Sequence, residues 1–157
     1  MLSDQKELVK VSDRLFKFDL NEEQQALAFR IKITSLMRLH ATSDRKAREQ
    51  LMELTKEYID SENEEISIFC YAGELNLKTQ DYLRLESSDF APLRDLVDTT
   101  TGKFPESVKI ANECLAVIVQ LLSQDKRDDA IELMKICLLY TSPSPRDATL
   151  SRMPSSA

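Results

Sequence analysis

Apolar residues along this chain recur at intervals of three and four, the spacing that gathers them on one side of a helix. Leu8, Val11, Leu15 and Phe18 predict a first amphipathic helix behind a Ser3 cap, ending near Asp19 and needing a neighbour for its apolar side. Asn21 is placed to cap a second helix. Its Ala26, Phe29, Ile33, Leu36 and His40 line one face, and Leu27 and Ile31 widen that face, so contacts on two sides are expected. After a polar turn at Thr42 and Ser43, the residues Ala47, Leu51, Leu54 and Tyr58 define a narrower helix that ends near Asp60 and packs on its predecessor alone.

Ser61 and Glu64 have the Ser-x-x-Glu form of a capping box and open the next broad-faced helix, with Ile66, Phe69, Cys70, Tyr71, Ala72 and Leu75. Gly73 lowers helix propensity by about 1 kcal/mol but permits the close approach of a neighbouring helix. Beyond it the pattern predicts a broken element. A short helix covers Gln80 to Leu85, the run SSDFAP interrupts it, Pro92 starts another short helix through Val97, and Thr99 to Gly102 form a loop. Pro105 then opens a helix whose stripe is Val108, Ala111, Leu115, Ile118 and Leu122, flanked by Cys114, Val119 and Leu121. This helix is expected to be the best buried. The polar turn SQDKRDD leads into a last helix with Ala130, Leu133 and Met134.

Broad-faced helices begin near Glu22, Glu62 and Pro105, each followed by a narrower one, so pairs recur at about 40 residues. That rhythm predicts an all-α fold, a right-handed α-solenoid of about three antiparallel helical hairpins. The segment IANECLAVIVQLLSQDKRDDAIELMKI resembles a tetratricopeptide unit, clearest over residues 108–136, with Ala130 where the second helix of such a unit takes a small packing residue. Ile118 departs from the small residue usual in the first helix, and the earlier hairpins keep only Ala47 of the pattern. The resemblance implies helical-hairpin repeats, of tetratricopeptide-like or HEAT-like geometry.

Composition changes the picture mainly at the end of the chain. Residues 137–157, CLLYTSPSPRDATLSRMPSSA, resemble translated read-through of a sequencing-library adapter. Residues 1–136 are therefore expected to be one helical repeat domain, the N-terminal fragment of a longer protein truncated in its last hairpin. Residues 137–157 are expected to be a non-native, mostly disordered tail, with Cys137 to Tyr140 extending the last helix by accident. Three of the five prolines (Pro143, Pro145 and Pro154) fall in that tail, which leaves few helix breakers elsewhere. Without Arg146, Arg152 and Asp147 the counts of 21 basic and 27 acidic residues become 19 and 26, a formal charge of −7 that repels phosphate backbones and argues against nucleic acid. The basic cluster Arg45, Lys46 and Arg48 lies beside Asp44 and Glu49 and reads as a solvated helix face. There is neither a signal-like leader nor a run near the roughly 20 apolar residues of a membrane span, so the expectation is a cytoplasmic protein away from membranes.

Candidate chemistry is sparse. His40 is the only histidine and lies at the end of a packed helix face, which removes histidine-based metal sites and relays. Cys70 and Cys114 sit in apolar surroundings without ligand spacing and read as buried thiols of a reducing compartment. The acidic pairs Glu22/Glu23 and Glu64/Glu65 complement helix dipoles, Gly102-Lys103 lacks the rest of a phosphate loop, and no serine stands in a nucleophile elbow. These readings predict no catalysis, no cofactor and no metal, and a scaffold that binds a protein or peptide partner on its helical surface. Arg30, Arg38, Asn76, Lys109 and Asn112, which fall between or beside the apolar stripes, are the candidate partner-binding residues. Two other readings stand beside it: a regulatory or sensor solenoid whose output domain followed residue 136, and a structural subunit of a helical-repeat complex.

Overall fold

The computed structural model describes residues 2–84 and 89–141, whose regular elements are seven α-helices without a strand. They are α1 (Leu2–Leu15), α2 (Glu22–Ala41), α3 (Arg45–Tyr58), α4 (Glu64–Leu83), α5 (Ala91–Lys103), α6 (Val108–Ser123) and α7 (Arg127–Thr141). The all-α class read from the sequence is the class observed. The expectation of disorder over residues 142–157 lies outside the described residues, and so do Leu85 of the expected short helix and Ser87 and Ser88 of the run expected to interrupt it.

Helix starts follow local side-chain chemistry. Asn21 caps α2 in a reciprocal box: its side chain accepts from the Gln24 amide at 2.9 Å while Gln24 Oε1 accepts from the Asn21 amide at 3.1 Å. The expected box at Ser61 and Glu64 is not formed. Asn63 is the cap, accepting from the Ile66 amide at 3.3 Å, and Ser61 Oγ accepts from the Asn63 amide at 3.2 Å and so orients it. Ser107 rather than Pro105 starts α6, its hydroxyl accepting from the Ile110 amide. Ser3 lies inside α1, its hydroxyl donating to the Asp4 carboxylate.

The fourth element is interrupted as expected, between Leu83 and Ala91 with Pro92 in the first turn of α5, but two parts of the expectation are corrected. α4 is continuous to Leu83, and α5 runs unbroken through Thr99 to Gly102. The reason is a helical stripe of buried residues, Leu93, Val97, Thr100 and Thr101, whose hydroxyls are satisfied inside the helix: Thr100 Oγ1 donates to Leu96 O at 2.6 Å and Thr101 Oγ1 to Val97 O at 2.7 Å.

Packing follows chain order. α2 contacts α1, α3 and α4, while α4 contacts α3, α5 and α6, and α7 closes on α5 and α6. Two apolar cores result. The first joins Val9 of α1, Phe29, Ile33 and Leu36 of α2, Leu51 and Leu54 of α3, and Phe69, Cys70 and Leu77 of α4. The second joins Leu75 and Tyr82 of α4 to Leu93 and Val97 of α5, Ile110, Val117 and Leu121 of α6, and Ala130 and Leu133 of α7.

Helices α1 and α6 turn a different side inward from the one expected. In α1, Val9 and Ser12 are buried while Leu8 and Val11 are exposed, as is Phe18 beyond its end. In α6 the buried set is Ile110, Cys114, Val117, Ile118 and Leu121, and the stripe of Val108, Ala111, Leu115 and Leu122 faces outward. α6 is apolar on two sides, so periodicity alone does not choose between them.

Gly73 stands where α4 passes over α2 and α3. A Cβ added there would meet Thr55 Cγ2 at 2.8 Å, Ile33 Cδ1 at 3.2 Å and Leu51 Cδ1 at 3.3 Å. Thr55 cannot readily swing away, because its Oγ1 donates to Glu74 Oε1 at 2.7 Å. The overpacking cost of roughly 1–3 kcal/mol outweighs the propensity gain of about 1 kcal/mol. Gly73→Ala is therefore expected to lower unfolding stability, and Thr55→Ser, which removes the clashing methyl and keeps the hydroxyl, to rescue it. A double-mutant cycle in urea decides the point: additive effects would count against the contact.

Candidate functional site

Successive helices share a register that shows which side chains lie level. The caps Asn21 and Asn63 align α2 with α4, and the two helices have equal lengths of 20 residues. The hairpin turns after α2 and α6 are alike. Ser43 and Asp125 both have positive φ, 68° and 59°, and the amides that follow them, of Asp44 and Lys126, donate back to Leu39 O and Leu121 O. In this register Arg38, Gln80 and Gln120 are equivalent on α2, α4 and α6, and Gln80 Nε2 donates to Gln120 Oε1 at 3.0 Å. Arg30 and Asn112 lie two turns nearer the helix starts, and Asn76 one turn before Gln80.

The five candidate residues differ in how committed they already are. Arg38 and Asn112 are exposed. Arg30 is exposed in a loose pair with Glu65, 3.8 Å apart, of the kind that contributes little. Asn76 is half-buried with its Oδ1 turned inward, without a donor among the described residues. Lys109 is engaged: it pairs with Glu113 on its own helix, and its ammonium lies 5.3 Å from the centre of the Phe69 ring. The structure thus places Arg38 and Asn76 within about one turn of each other in level, and gives Lys109 a role in joining α6 to α4.

Sequence reading missed the polar cluster at the far end of α4. Arg48 Nη2 donates to both oxygens of the Asp81 carboxylate at 3.0 Å and its Nε to Oδ1 at 3.2 Å, while Arg84 Nη2 donates to the His40 carbonyl at 2.9 Å and Tyr82 Oη to Asp129 Oδ2 at 2.6 Å. The partners are 33 to 47 residues apart in sequence, so no local spacing announces them. Cys70 is buried and its thiol is pushed up to about 12, by burial first and then by the Glu74 charge, which leaves it unreactive at neutral pH. The Cys114 thiol is raised too, by its hydrogen bond with Cys137 and by burial. Among the described residues no three His, Cys, Asp or Glu side chains converge on a metal position, and no helix is long and apolar enough to cross a membrane. The chain matches no protein-family model, no curated protein and no solved structure.

His40 is 1% exposed, and neither ring nitrogen has a hydrogen-bond partner among the described residues. Its pKa is lowered from the ordinary value by burial first and then by the Arg84 charge, with Asp81 opposing and Arg48 adding to the depression. The unfolded chain therefore binds this proton at higher pH than the folded chain does. The group's contribution to stability is complete above about pH 6.5 and drains away as pH falls from there through the folded pKa. The chain has one histidine, so its NMR signal reports this without ambiguity. The expected outcome is a midpoint below 6.5, and a weaker loss of stability between pH 7 and 5 in His40→Leu than in the wild type. A midpoint at or above 6.5 would refute the assignment.

Proposed function

We propose that this chain is a non-catalytic protein-interaction scaffold, a right-handed array of helical hairpins of tetratricopeptide-like or HEAT-like geometry that binds a peptide or partner domain. The observation that carries the reading is the shared register of α2, α4 and α6, which sets Arg38, Gln80 and Gln120 level on three alternate helices. Arg38 offers a planar, permanently charged donor to a partner carboxylate or carbonyl, and Asn112 an uncommitted amide. Arg30 can exchange its loose contact with Glu65 for a partner group at little cost. Asn76 and Lys109 serve this face more by holding its shape. An acidic chain fits a protein partner better than nucleic acid.

A photo-crosslinking amino acid placed at Arg38 in cells is expected to trap a defined partner, and the same group at Glu53 on α3 to trap none. Arg38→Ala should then weaken binding of that purified partner by about tenfold, roughly 1.4 kcal/mol. Equal trapping at both positions would overturn the assignment of the face.

A second reading, a regulatory or sensor array within a longer protein, is favoured by one feature of the sequence. Residues 137–157 resemble adapter read-through, and we propose that the native frame departs after Ile136. Sequencing the source DNA across the codons for Lys135 to Thr141 tests this. A departure after codon 136 is expected, whereas a template that encodes CLLYTSPSPRD would make the tail genuine.

A further inference from the structure

In the register that relates the three long helices, one stripe occupies equivalent positions. On α2 it is Ala26, Phe29, Ile33, Met37 and His40, none more than 7% exposed. Ala26, Phe29, Ile33 and Met37 belong to the core that α2 shares with α3 and α4. On α4 it is Ile68, Tyr71, Leu75, Thr79 and Tyr82, and its apolar members turn into the core built with α5, α6 and α7. On α6 the stripe is Val108, Ala111, Leu115, Val119 and Leu122. It is largely open: Val108 is 73% exposed, Leu115 58%, Val119 56% and Leu122 45%, and only Ala111 and Leu115 border a cleft shared with Cys137 and Tyr140 of α7.

The stripe on α6 carries no charge. The two charged side chains of that helix, Lys109 and Glu113, pair with each other, with the Lys109 ammonium over Phe69 of α4. Arrays of stacked helical units end in polar caps. An apolar outer stripe is instead the surface on which a next helix sits. Where α2 meets α4, Gly73 of α4 lies against Ile33 of the α2 stripe, and the apolar members of the α4 stripe share their core with the inward residues of α6. The side that meets α2 carries Phe69, Cys70, Gly73 and Leu77, and the side that meets α4 carries Ile110, Cys114, Val117 and Leu121. Residues 142–157 contain Pro143, Pro145 and Pro154, with Leu150 and Met153 as their only large apolar side chains.

We infer that the Val108–Leu115–Val119–Leu122 stripe is a docking surface for an amphipathic helix from outside this chain, one with the chemistry of the inward side of α4. That chemistry is an aromatic and a leucine about two turns apart with small residues between them. The inference rests on the hairpin-array reading but not on the Arg38 face, so failure of partner binding through Arg38 leaves it standing.

A labelled peptide of residues 64–83 with Cys70→Ser is the probe, titrated into the full chain while its circular dichroism is followed. An isolated helix of this length is marginal in water, so helicity gained on binding is part of the readout. Saturable binding to one site is expected, weakened by about tenfold or more in Leu115→Glu and in Val119→Glu. Lys56→Glu on α3 should bind as the wild type does. Both stripe positions are more than half exposed, so the variants are expected to keep the wild-type melting curve; Val119→Ser is a milder version should either fail to fold. Absence of binding would overturn the inference, as would binding that the stripe variants leave unchanged. Sedimentation of the chain alone covers the remaining occupant: self-association abolished by Leu115→Glu, without peptide binding, would assign the stripe to a second copy and refute a partner helix.

Discussion

The structure depends on α4 having two apolar sides. Phe69, Cys70 and Leu77 enter the core with α1, α2 and α3, while Leu75 and Tyr82 enter the core with α5, α6 and α7. Among the described helices α4 is the one that contacts members of both groups. Mechanical and energetic communication between the two halves therefore runs through its packing, and above all through the close approach at Gly73, where α4 lies against Thr55, Ile33 and Leu51. If α4 moved outward by the width of one methyl group, both cores would lose contacts, since dispersion attraction falls off steeply with such a gap.

Apolar burial fixes that α4 is covered on both sides, but it is indifferent to how far each neighbour slides along it. Polar contacts near its C-terminal end remove that freedom. Arg48 from α3 grips Asp81 through both carboxylate oxygens, Tyr82 reaches Asp129 of α7, and Gln80 reaches Gln120 of α6. Arg84, just past the helix, ties back to the last turn of α2 through the His40 carbonyl. Each contact is directional and part-buried, so a slip of one residue would leave donors and acceptors unmatched at a cost larger than the net gain from any one of the bonds. This cluster also surrounds His40 with charge, which couples the fold's register to pH.

How much of this was legible in the sequence differs from element to element. The existence of the helices follows from local spacing even where their bounds shift, and the cap at Asn21 and the close approach at Gly73 are found where side-chain type and size put them. Caps were misplaced at Ser61 and Pro105, because a serine or proline a few residues ahead of the true start carries the same signal as Asn63 or Ser107. The loop expected at Thr99 to Gly102 failed because Thr100 and Thr101 satisfy their hydroxyls within the helix and are buried by tertiary packing, which overrides weak propensity. In α1 and α6 the periodicity found helices but chose the outward side, since the choice is made by neighbours distant in sequence. Of the candidate site, the residue types were readable. That Lys109 is already paired, while Arg38 shares a level with Gln80 and Gln120, is information held only in the packing.

The two ends of the molecule show why the misread stripes carry meaning rather than mere error. On α1 the outward apolar residues Leu8 and Val11 alternate with Glu7, Lys10 and Arg14, and each is only about two-fifths exposed. Charges interleaved in this way solvate an edge and discourage a neighbouring helix from settling there. On α6, Leu115 and Val119 are flanked by Asn112, Ala116 and Gln120, with no charge to solvate them. The first edge is finished by its own charges. The second repeats positions that α2 and α4 bury, so the physics that builds two internal interfaces is still present on a surface where the described residues supply no third.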